Sequence, residues 1–63
     1  NSMKLKKILE RLDHDVEVEL LVVEGFDIVL ECSDWNEIRE YEDNKVIEIG
    51  TADDGVLIIT VAK

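Results

Sequence analysis

Cysteine, histidine, tryptophan, tyrosine, phenylalanine and methionine each occur once in this chain of 63 residues, glycine three times and proline never. A lone Cys32 excludes an internal disulfide. Together with the lone His14 it cannot supply the ligand set of a structural zinc site. No apolar run reaches the ~18 residues of a membrane span, and no charged, apolar and small-residue sequence marks a secretion signal. The expectation is a soluble, cytoplasmic chain without cofactor or metal. Asn1 and Ser2 ahead of Met3 look like the remnant of a tag, which leaves 3–62 as a single small domain.

Basic residues are also scarce, and where they fall matters. Lys4, Lys6, Lys7 and Arg11 hold four of the seven positive charges. From Leu12 to Ala62 fifteen carboxylates face only Arg39 and Lys45, a balance of −13 within a chain of formal charge −9. Such a field repels phosphate backbones and attracts basic surfaces, so direct contact with nucleic acid or an anionic membrane is disfavoured and a basic protein surface is the expected partner. A domain this short buries only about 60% of its unfolded surface. With no staple available, self-association as a homodimer is expected to contribute to its stability.

What is present is regular apolar spacing. Leu5, Ile8, Leu9 and Leu12 recur at helical intervals within residues 3–12, opposite Lys4, Lys6, Lys7, Glu10 and Arg11, which predicts one amphipathic helix. Asp13, His14 and Asp15 then break it. Val16 to Val23 and Phe26 to Cys32 alternate around Gly25 as a β-hairpin. A three-residue loop of Val23, Glu24 and Gly25 pairs Val22 with Phe26, Leu20 with Ile28, Val18 with Leu30 and Val16 with Cys32, making one face wholly apolar. Glu17, Glu19, Asp27 and Glu31 are then expected on the other face with Leu21, Val23 and Val29. Glu17 would stand opposite Glu31, and like charges so placed destabilise a sheet.

Ser33 or Asp34, with Glu37 three residues after Asp34, predicts a capped helix over about 34–42 with Trp35, Ile38 and Tyr41 inward. A second hairpin is read around Asp53, Asp54 and Gly55, with Ala52 opposite Val56. Ile47, Ile49 and Thr51 then lie beside Leu57, Ile59 and Val61, and Val46, Glu48, Gly50, Val56, Ile58 and Thr60 on the reverse. The predicted fold is α+β, in the order α-β-β-α-β-β, a four-stranded, mostly antiparallel sheet with helices on one face. Its other face is too apolar for water, and Leu21, Val23, Val29, Val56 and Ile58 are the residues expected to self-associate.

No residue pattern supports catalysis. The carboxylates lie on alternating exposed positions or in turns, without an apolar pocket to separate their pKa values. Asp53, Asp54 and Gly55 lack the further oxygen ligands of a calcium loop and read as a turn. His14 reads as solvated, and Cys32 as a small hydrophobe. With three aromatic rings, Trp35 and Phe26 are wanted by the core before any partner. The acidic face is different, because a charge cluster that costs folding energy fits a surface that meets a basic partner. Glu17, Glu19, Asp27 and Glu31 are the candidate residues, with Glu40, Glu42 and Asp43 as a second cluster.

The opening LKKILERLDHDVEVEL, a basic amphipathic helix running through Asp-rich residues into an alternating strand, and the closing DDGVLIITV resemble in layout the small acidic orphan proteins encoded by phages and prophages of Gram-positive bacteria. The resemblance implies an accessory protein of a mobile element, a group that includes inhibitors of host defence, some of them similar to DNA in charge. It carries over no functional residue. Two expectations follow: a non-enzymatic inhibitor that engages a nucleic-acid-binding surface of a host protein, or an assembly module that works through its exposed apolar strand residues.

Overall fold

A computed structural model describes residues 2–63 of the chain; Asn1, half of the expected tag remnant, lies outside the described residues. The elements follow the predicted order: α1 Leu5–Leu9, β1 Val18–Glu24, β2 Asp27–Cys32, α2 Trp35–Arg39, β3 Val46–Thr51 and β4 Leu57–Ala62. The strands form one α+β sheet in the order β2-β1-β4-β3. Each hairpin is antiparallel, and β1 and β4 join them side by side in parallel. The sheet is therefore mixed. Among the described residues no helix is long and apolar enough to cross a membrane.

The period of two in the strands decides the core. Val18, Leu20 and Val22 of β1, Cys32 of β2, and Ile59 and Val61 of β4 are buried and form one cluster with Leu5 of α1 and Ile38 of α2. Full burial of an aliphatic side chain contributes roughly 1.5–3 kcal/mol, so these few residues carry most of the fold's stability. No polar or charged side chain among the described residues is buried with them.

Both helices are shorter than their sequence patterns predict. Lys4 is extended and bridges to Lys45, and the first N–H groups of α1, from Leu5 and Lys6, donate to the carbonyls of Asn44 and Glu42 at 2.9 and 2.8 Å. Past Leu9 the chain tightens: the N–H groups of Arg11 and Leu12 donate to carbonyls three residues back, as at a fraying helix end. Leu12 still packs against the core. In α2 the Asp34 carboxylate accepts the Glu37 N–H at 3.2 Å, so Asp34 rather than Ser33 is the cap. Ile38 is fully buried, with Trp35 and Tyr41 half-buried beside it.

The first hairpin corrects the predicted register. Leu20 pairs with Cys32, Leu21 with Glu31 and Val22 with Leu30, then a bulge at Val29 leads to Val23 opposite Ile28 and Glu24 opposite Asp27. The loop is Gly25 and Phe26 alone, with Gly25 at φ 64 and no positive φ at Phe26, the φ pattern of a type II′ turn, which matches strand twist better than its mirror image. Relative to the expected pairing, β2 has moved along β1 by four residues from Leu30 to Cys32 and by three beyond the bulge. An even shift leaves each side chain on its face, so alternation cannot detect it. The bulge at Val29 makes the shift odd beyond it, which puts Ile28 opposite Val23 on the reverse face, and Phe26 falls in the turn: Phe26 is fully exposed and Ile28 half-exposed. The four-residue move separates Glu17 from Glu31, whose partner is Leu21.

The second hairpin keeps its register from Thr51 to Glu48, with Thr51 opposite Leu57, Ile49 opposite Ile59 and Glu48 opposite Thr60. The Ala52 N–H donates to the Val56 carbonyl, and Gly55 takes φ 86 in the turn. A bulge at Ile47 then brings Val46 opposite Val61, so Val46 packs against the core instead of the reverse face, and Ile47 and Ile49 are half-exposed on this edge strand. A bulge adds one residue to one side of a ladder and turns the following side chain over.

Candidate functional site

The face opposite the core begins with Glu17, Glu19, Leu21 and Val23, the residues of and before β1 that alternate with Val18, Leu20 and Val22. Glu17 is fixed by its backbone, whose carbonyl accepts the Leu57 N–H at 2.9 Å. Glu19 pairs with Ile58 and Leu21 with Thr60 across the parallel ladder. Glu31 enters from β2 beside Leu21, and Glu48 from β3 beside Thr60. None of these residues is buried, in contrast to the β1 and β4 core residues one position along; Glu48 on the edge strand β3 has exposed neighbours, Ile47 and Ile49. The apolar members Leu21, Val23, Val56 and Ile58 are half-buried, and Val29, at the bulge, is exposed.

The structure brings Glu17, Glu19 and Glu31 to this face and adds Glu48, which the sequence reading placed there but did not single out. Asp27 does not join them. It sits at the hairpin end opposite Glu24, so the like-charged pair of this hairpin is Glu24 and Asp27 rather than Glu17 and Glu31, and Lys63 reaches Glu24 at 3.9 Å. Glu40, Glu42 and Asp43 lie in the connection from α2 to β3. There Asp43 has Lys6 at 3.9 Å, and the Glu42 carbonyl accepts from α1. Those two are the ion pairs among the described residues, and neither involves Glu17, Glu19, Glu31 or Glu48.

At the end of this face a half-open cleft of about 470 Å³ lies among His14, Glu17, Glu19, Ser33, Trp35 and Val56. Two of its lining residues, His14 and Trp35, belong to a cluster that the sequence did not reveal. His14 meets Trp35 edge-on, with ring centroids 5.4 Å apart and planes at 74°. The Arg39 guanidinium lies 5.9 Å from the Trp35 ring centroid, 3.0 Å from His14 Nε2 and 3.2 Å from Asn36 Oδ1. Guanidinium has no acceptor, so the contact requires His14 Nε2 to accept, with its proton on Nδ1. The four-residue spacing of Trp35 and Arg39 places them on one side of α2; nothing local in the sequence ties His14 to them. His14 is thus exposed, as read, but held by two partners.

Cys32 is buried on the apolar face, and burial raises its thiol pKa above the ordinary 9.0, with the carboxylates of Glu37, Asp34 and Glu40 adding to the shift. A thiol so placed stays protonated and weakly nucleophilic. Among the described residues no three His, Cys, Asp or Glu side chains converge as metal ligands. The Asp53–Asp54–Gly55 segment is a turn in which the Asp54 carboxylate accepts the Val56 N–H at 3.2 Å.

Fold and site together define a small α+β sheet domain with an acidic, partly apolar open face. Comparison with protein-family models, curated proteins and solved structures finds no match to this chain.

Proposed function

We propose that this chain is a non-enzymatic binding protein whose open sheet face receives a basic surface of another protein. One observation carries the reading. None of the four strands contains a lysine or arginine, while Glu17, Glu19, Glu31 and Glu48 share with Leu21, Val23, Val56 and Ile58 the face that the core does not use. Interfaces combine an apolar centre with a polar rim, and a rim of one sign raises association rates with the opposite sign and rejects wrong partners. Self-repulsion among these acids supports a partner of different charge over an isologous dimer through the same face. The resemblance to phage-encoded acidic proteins suggests the partner's class: a host protein whose basic, nucleic-acid-binding groove is occupied in place of DNA or RNA.

The test is capture from a Gram-positive lysate at low and at physiological salt, with the Glu17→Gln/Glu31→Gln/Glu48→Gln variant alongside, followed by competition with duplex DNA for the captured protein. Binding that weakens at least tenfold with salt, with neutralisation of the three acids and with added DNA supports the proposal. A partner held equally well under all three conditions would sink it.

A further inference from the structure

The six large hydrophobic residues exposed among the described ones are Met3, Phe26, Ile28, Val29, Ile47 and Ile49. They are not scattered. Phe26, Ile28 and Val29 belong to β2 and its hairpin loop at one edge of the sheet; Ile47 and Ile49 belong to β3 at the other edge, and Met3 is tied to β3 through the Val46 N–H, which donates to the Met3 carbonyl at 2.8 Å. The two patches differ in charge. The β2 patch is set among Glu24, Asp27 and Glu31, with no basic residue in the strand or its loop. The β3 patch adjoins an apolar groove of about 490 Å³ between α1 and β3, lined by Met3, Ile8, Leu12 and Ile49 with Lys7 and Arg11.

One patch projects and the other recedes. Phe26 stands fully exposed on a two-residue turn in which Gly25 takes φ 64. The groove is large enough for such a ring. We infer that a second copy of this chain is the occupant: Phe26 of one molecule seats in the Met3–Ile8–Leu12–Ile49 groove of the next, with Glu24 and Asp27 meeting Lys7 and Arg11. The residues on the two sides are different, so the contact is head-to-tail and leaves each end of a pair open for a further copy. The chain's charge of −9 opposes association at long range, but at physiological ionic strength the Debye length is about 8 Å, so the opposite charges in contact act more strongly than the distant like ones. The residues named in this contact, Phe26, Glu24 and Asp27 on one molecule and the α1–β3 groove on the other, are not those of the proposed binding face, so the contact stands or falls apart from the function proposed above.

Sedimentation of the full chain over a wide concentration range at physiological salt tests it. Mass rising with concentration is expected, with Phe26→Ser weakening association by about thirtyfold, the loss of an aromatic hot spot, and Lys7→Glu/Arg11→Glu weakening it comparably. All three substituted positions are exposed, and unchanged thermal melts confirm folding; Ile49→Ser replaces the charge-reversed variant if that one does not fold. Mixing the two variants decides the geometry. Each retains the end that the other lacks, so the mixture should form a 1:1 pair and grow no further. A wild-type chain that stays monomeric at every concentration, association indifferent to Phe26→Ser, or a mixture that remains monomeric would each overturn the inference.

Discussion

Neighbouring residues of β1 do opposite work on the two faces of the sheet. Val18, Leu20 and Val22 are almost wholly removed from water, whereas Glu17, Glu19, Leu21 and Val23, one position away in each case, are not buried at all or only by half. The same division holds on β4, with Ile59 and Val61 buried and Ile58 and Thr60 half-buried. Stability thus rests on one face, and the chemistry of the other is free to be set by what it meets. The largest contrast should appear on truncation. Leu20→Ala or Ile59→Ala removes buried volume and should cost about 2–5 kcal/mol, enough to unfold much of so small a domain. Leu21→Ala, its neighbour, should cost less than about 1 kcal/mol. Urea melts of the three variants measure the difference, and equal losses at Leu20 and Leu21 would erase the distinction between the faces.

The two turns and the helix cap sharpen the comparison at an intermediate scale, because they set which residues reach the buried face. Gly25 and Gly55 hold φ 64 and 86, where a Cβ meets its own backbone although the space around both is open. Gly25→Ala and Gly55→Ala should each cost about 1–2 kcal/mol through backbone strain alone. Asp34→Ala, which leaves the Glu37 N–H without its acceptor, should cost about 1 kcal/mol, and Asp34→Asn much less. Thermal melts rank all four.

These elements also mark how far the sequence could be read. Alternation assigned Val18, Leu20, Val22, Leu30 and Cys32 to a single face, and the structure keeps Cys32 beside Leu20 and Leu30 beside Val22. It could not fix the pairing itself, since a slide of four residues preserves every facing, and the bulge at Val29 leaves no local trace in a run of β-branched residues. The slide undid the opposition of Glu17 to Glu31, and the bulge with its two-residue turn undid the expected burial of Phe26. In the second hairpin the Asp53–Asp54–Gly55 turn pinned the register near Ala52 and Val56, and only the bulge at Ile47 escaped. The contact of His14 with Trp35 and Arg39 joins residues 25 positions apart, and the groove of Met3, Ile8, Leu12 and Ile49 joins α1 to β3; packing makes both, and neither has a motif.

Cys32 offers a reading of the buried face by pH. Its thiol is favoured in the neutral form when folded, chiefly by burial. Below the ordinary pKa of 9.0 folded and unfolded chains both hold the proton and the thiol contributes no pH dependence. Above it the unfolded chain ionises first, binds fewer protons, and stability falls as pH rises towards the higher folded value. Cys32→Val keeps the apolar contact without the titration, so the alkaline decline in melting temperature should be shallower in that variant than in the wild type. An identical decline would mean that other groups govern it and that Cys32 is not enclosed as described.

The smallest effect is the one that separates the two registers most directly. In the observed pairing Glu24 faces Asp27 and Glu17 does not face Glu31. Neutralising either Glu24 or Asp27 relieves the other, so Glu24→Gln and Asp27→Asn should be non-additive in a double-mutant cycle, with a coupling of roughly a few tenths of a kcal/mol at low salt. Glu17→Gln and Glu31→Gln should be additive within error and leave stability nearly unchanged, because neither has a charged partner across the strand. Both pairs are exposed to solvent, and salt should erase the first coupling without creating the second. A coupling at Glu17 and Glu31 in place of the other would return β2 to the three-residue loop, carry Phe26 back to the apolar face, and remove the projecting ring on which the inferred self-assembly rests.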